Sequence, residues 1–75
     1  NPTNGTITIR FEADISEDVQ VKLLDIRGRS ILQKTYQAVS SQFQKEMNLD
    51  GVAKGLYILK VENGDHRVSK KILID

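Results

Sequence analysis

At 75 residues the chain is one domain near the lower size limit for unaided folding, able to bury only about 60% of its unfolded surface. Hydrophobic residues make up 39%, with no Trp, two Phe and two Tyr, so the core must be aliphatic and thin. A net charge of +1 offers no basic field for nucleic acid, no apolar run approaches the roughly 20 residues of a membrane span, and the lack of cysteine removes disulfides, thiolate catalysis and cysteine metal sites.

The chain opens on Asn1 rather than Met and shows no charged-then-apolar leader. Residues 1–75 are therefore expected to be a fragment of a longer protein. Asn1-Pro2-Thr3-Asn4-Gly5 is a turn cluster ahead of the first strand. TITIRF, Thr6 to Phe11, places Ile7, Ile9 and Phe11 on one face and Thr6, Thr8 and Arg10 on the other, the period of a half-buried strand. VQVKLLDI, Val19 to Ile26, begins with Val19, Val21 and Leu23 inward. It then slips to Leu24 and Ile26, which predicts a bulge or bend near Leu23 and Leu24.

A short Asp-Ile-Arg-Gly-Arg link, with Gly28 accepting positive φ, joins this strand to SILQKTY, Ser30 to Tyr36. FQKEMNL, Phe43 to Leu49, alternates as a strand. A Ser-capped helix across SSQFQKEMNLDGV would use Phe43, Met47 and Val52, but the alternation is cleaner than the helical repeat. LYILKVE, Leu56 to Glu62, and HRVSKKILI, His66 to Ile74, complete the set. Asn63-Gly64-Asp65 between them predicts a type I′ hairpin. Strands of this length with regular turns predict an all-β sandwich.

Chemistry-bearing groups are sparse. The single His, His66, sits beside Asp65 at a turn with no Ser motif nearby, so an exposed turn residue is expected. Asp14, Glu17 and Asp18 could offer oxygen ligands to calcium, but the spacing fits no EF-hand loop and a solvated loop is expected. Paired carboxylates would need a cleft that so small a sandwich leaves little room for. Arg27 and Arg29 flank Gly28 as a small basic point, read as hairpin-tip solubility or a carboxylate or phosphate contact. Asn4-Gly5-Thr6 matches the glycan-acceptor pattern, a match common by chance. No catalytic residue, metal or cofactor is predicted, and no enzyme.

Several segments together resemble one family. NPTNG resembles its Pro-x-x-Gly opening, with Pro2 and Gly5 as the matching positions. LLDIRG followed by Arg resembles its hydrophobic-Asp-x-x-Gly-Arg hairpin, matching Asp25, Gly28 and Arg29. LDGVAKGLYILKVENGDHRVSKKILI resembles its closing signature, matching Gly55, Tyr57, Gly64, Lys71, Ile72, Leu73 and Ile74. The family is the C-terminal sorting domain of the type IX secretion system, and the resemblance spans Asn1 to Asp75. It departs at the end, where the family often carries a basic or polar residue and this chain has Asp75.

The resemblance implies a small Ig-like antiparallel β-sandwich of about six to seven strands. It implies a signal that takes a periplasmic cargo protein to the outer-membrane translocon for export and surface attachment, with later removal by a sortase-like peptidase. Lys70, Lys71, Ile72, Leu73 and Ile74 are the expected recognition motif, on a last strand near a sheet edge that offers a basic row and unpaired backbone. Lysines on an edge strand also prevent aggregation, and both readings stay open here. Gly5, Gly28 and Gly64 are equally explained by turns, Asp25 by capping its turn, and Tyr57 as a core residue whose hydroxyl needs a partner. The expected partners are secretion-system proteins, with no nucleic acid and no membrane span, and a strand-swapped homodimer is plausible for the isolated domain. An Ig-like adhesion or carbohydrate-binding module, or a structural spacer of an enzyme, is the alternative.

Overall fold

Alternation of apolar and polar side chains builds each long strand, and the burial follows it. The computed structural model describes residues 2, 3 and 5–75, the first two by their backbone alone. Seven strands form: β1 (Pro2–Thr3), β2 (Thr6–Glu12), β3 (Asp18–Asp25), β4 (Ser30–Gln37), β5 (Gln42–Asn48), β6 (Gly55–Asn63) and β7 (His66–Ile74). Among the described residues there is no helix, so Gln42–Asn48 takes the strand alternative.

The strands make two sheets, ordered β1-β7-β6-β3-β4 and β2-β5. All neighbours are antiparallel except β1, which lies parallel to the end of β7 with Pro2 opposite Leu73 and Thr3 opposite Ile74. The expected opening turn cluster is therefore partly strand; Asn1 and Asn4, and with Asn4 the glycan-acceptor pattern, lie outside the described residues. Ala13 N donates to Ser41 O at 2.8 Å and Leu49 N to Gly5 O at 2.6 Å, continuing the small sheet one step beyond each end.

Val19, Val21 and Leu23 are fully buried on β3, the strand flanked by β4 and β6. Ile9, Phe43 and Met47 of the small sheet join Val19, Val21 and Val61 in one core cluster. Phe43 lies tilted against Phe11 (centroids 5.2 Å apart) and meets Tyr36 edge-on at 5.8 Å, the latter a geometry that aromatic quadrupoles favour. A second cluster gathers Leu23, Leu49, Tyr57, Ile72 and Ile74.

The predicted irregularity lies where β3 passes from Leu23 to Leu24. Leu23 faces Leu32 and Leu24 faces Ser30, so the extra residue is Ile31 on β4, and β3 keeps its register with β6 through Asp25. The predicted inward slip does not occur: Leu24 stays on the outer face, half-buried, and Ile26 is exposed at the hairpin tip. An unbroken ladder with β6 on one side forbids β3 from flipping its faces, so the partner strand absorbs the mismatch.

Candidate functional site

Two hairpins carry most of the sequence-predicted positions. In the first, the four residues from Ile26 to Arg29 join β3 to β4. Gly28 N donates to Asp25 O at 3.0 Å and Asp25 N to Arg29 O at 2.9 Å. Gly28 sits at φ +88, where a β-carbon is strained. Asp25 organises the loop through its side chain. Oδ1 accepts from the backbone N–H of Arg27 and of Arg29, both at 2.9 Å, and Oδ2 pairs with Arg29 Nε at 2.8 Å. The Arg29 backbone N–H above all, then its guanidinium, holds the Asp25 carboxyl below its usual value of 3.8. Arg29 is thereby engaged within its own hairpin, while Arg27 forms no ion pair among the described residues.

The second hairpin, β6 to β7, turns on Gly64 and Asp65, with Asn63 facing His66 across the last paired step. Gly64 has φ +60 and Asp65 does not have positive φ. Glycine at the first central position alone is the type II′ pattern, which corrects the type I′ expectation. Position 64 is also crowded, because a β-carbon there would stand 2.9 Å from Glu17 Cγ and force that side chain to move.

Asn63 is consequently not a turn residue but, among the described residues, the most buried polar one, at 1% exposure. Its Oδ1 accepts from Asp14 N at 2.6 Å, and its Nδ2 donates to the carbonyls of Asp14, Glu17 and Asp18 at 3.1–3.2 Å. One side chain thus fastens the closing hairpin to the acidic loop, and sequence reading missed it because its partners lie 45 to 49 positions away. Asp14 turns its own carboxylate to the Ser16 hydroxyl and N–H, at 2.6 and 2.9 Å, which hold it below 3.8. Among the described residues, no three acidic or histidine groups converge on a metal position.

At the other end of the hairpin, Gly55 opens β6 opposite Ile74. Tyr57 is buried, and its hydroxyl donates to Ala53 O at 2.6 Å, so it braces the preceding link from within the core.

β7 reads differently on its two faces. Ile72 and Ile74 point into the core, while Leu73 and Lys71 lie on the outer face. Lys70 shares the inner side with Ile72 but stays exposed. There a groove of about 290 Å³, lined by Ile9, Phe11, Leu59, Val61, Val68 and Lys70, separates β2 from β7. Lys70 and Lys71 therefore project to opposite sides of the sheet, and the expected single basic row on β7 does not exist. From His66 to Ile72, among the described residues, the far edge of β7 has no strand beside it, and β1 covers its last two residues. A partner meeting this strand reaches Lys70, Lys71 and Leu73, with Ile72 and Ile74 held inside.

The family model for the secretion system C-terminal sorting domain matches residues 1–75, the whole chain. The chain is a member of this family. A search of curated proteins finds no match. As a type IX sorting domain the chain is a signal for export through that secretion system to the cell surface or outside, and it interacts with the system's proteins. No helix among the described residues is long and apolar enough to cross a membrane.

Proposed function

We propose that this sorting domain is a non-catalytic address on a longer cargo protein. The cargo reaches the periplasm first. The folded sandwich then presents it to the outer-membrane translocon for export and surface attachment, and a sortase-like peptidase removes the domain. The match of the sorting-domain family to all 75 residues carries this reading. The fold supports it, since a small sandwich held shut by Asn63 and Tyr57 can display a constant surface on any cargo.

A carbohydrate-binding or adhesive module would need exposed aromatic platforms. Here Phe43 and Tyr57 are buried, and Phe11 and Tyr36 are half-buried against the core. The test is a reporter carrying an export leader and residues 1–75, expressed in a bacterium with a type IX system. The reporter is expected on the surface with the domain and in the periplasm without it. A reporter that stays in the periplasm with the domain attached sinks the sorting reading. A spacer role instead predicts that deleting the domain lowers the melting temperature of the parent enzyme and leaves its location unchanged.

A further inference from the structure

The outer face of the five-stranded sheet carries a charge arrangement that folding alone does not account for. Lys22 on β3 stands directly opposite Lys60 on β6, on the same face. Like charges at directly opposed positions destabilise a sheet. Lys71 lies one strand further on and two residues along, on the same face, because Ile58 pairs with Lys71 while Lys60 pairs with Ser69. Neighbouring carboxylates do not relieve the repulsion. Glu62, on the same face, is paired with Arg67 at 3.4 Å, and among the described residues Lys22, Lys60 and Lys71 form no ion pair.

An apolar strip adjoins the three lysines. Leu24 opposes Ile58 across β3 and β6, and Leu56 opposes Leu73 across β6 and β7, with Leu56 46% and Leu73 43% exposed. The outer face of the small sheet differs, with Arg10 set among Glu12, Glu46, threonines and amides. One side of the sandwich is thus basic and partly apolar, while the other is mixed and polar.

We infer that the outer face around Lys22, Lys60, Lys71 and the Leu56–Leu73 pair docks an acidic surface of a secretion-system protein. This inference rests on the sorting reading. Charge complementarity selects an acidic partner. The exposed Leu56 and Leu73 beside half-buried Leu24, with the lysines around them, match the apolar centre and polar rim of a protein interface.

The test uses the full domain on its reporter. Lys22→Glu converts the repelling pair into an attracting one, so the fold should melt at or above the wild-type temperature. Export should nevertheless fall about tenfold, the ratio set by one like-charge contact against an acidic partner. Lys22→Arg should export normally. Unchanged export of Lys22→Glu with Lys60→Glu and Lys71→Glu added overturns the inference, while wild-type export keeps the sorting reading intact. Wild-type export failing removes the sorting reading itself. Binding of the wild-type fusion to phosphatidylglycerol vesicles, abolished by Lys22→Glu, assigns the face to lipid and overturns the protein partner.

Discussion

At the scale of single residues, a few polar side chains fasten the loops to the apolar core. Asn63 satisfies part-buried backbone groups of Asp14, Glu17 and Asp18 through four hydrogen bonds. Asn63→Ala removes all four bonds and is expected to cost about 3 kcal/mol. Asn63→Asp keeps the acceptor but turns a carboxylate on three carbonyls, and should cost at least as much. Chemical denaturation with a constant slope checks both, and a loss under about 0.5 kcal/mol would mean that water replaces the amide. Asp25 gives a pH signature. Its folded pKa is depressed, so its contribution is complete above the unfolded value near 3.8 and is lost as pH falls through the folded value. Asp25→Asn should therefore melt below wild type at neutral pH, with the gap closing well below 3.8. A gap independent of pH would assign the effect to hairpin geometry and not to charge.

At the scale of strands, the edges explain where lysines sit. Lys34 on β4 opposes buried Val21, and Lys70 on β7 opposes Leu59, so the edge strand β4 and the stretch of β7 that β1 leaves uncovered each carry a lysine on the core-facing side. Lys45 on β5 opposes Ile9 and rests its ammonium 5.9 Å from the Tyr36 ring. An inward-pointing charge on an edge strand blocks pairing with another chain. This favours edge protection for Lys70, whereas Lys71, on the opposite face, belongs to the proposed docking surface. Lys70→Val is expected to raise concentration-dependent self-association in light scattering behind a sizing column, while Lys70→Glu stays like wild type. Equal behaviour of the two variants would remove the protective role. The proposed strand-swapped dimer is not opposed by Lys70, since an exchanged β7 would meet the same neighbours. The strands themselves were legible: β7 begins and ends where the alternation of HRVSKKILI says, and Gln42–Asn48 reads as strand over helix. The parallel docking of β1, the buried Asn63 and the outward Ile26 were not. Each depends on a partner strand or loop that the local pattern does not specify.

At the scale of the whole molecule, the question is whether the secretion system reads a fold or a tail. Ile72 and Ile74 are buried beside Leu23 and Tyr57, so a linear reading of the closing motif would require the core to open. A folded address predicts otherwise: it fails when the core fails, even with every surface group intact. Leu23 tests this, because it is fully buried and remote in sequence from β7. Leu23→Ala should cost about 2–5 kcal/mol, a large share of the roughly 4–11 kcal/mol expected of a 75-residue domain. Below its lowered melting temperature the variant should still export, and above it export should collapse while the wild type continues. A variant that exports equally well on both sides of that temperature would mean that the unfolded terminal segment is the signal. The outer-face lysines would then act as a local sequence and not as a surface, and Lys22, far from the closing strand in sequence, would have no part in recognition. Measuring reporter location against temperature for Leu23→Ala therefore decides between the two, because only a folded sheet brings Lys22 beside Lys60 and Lys71.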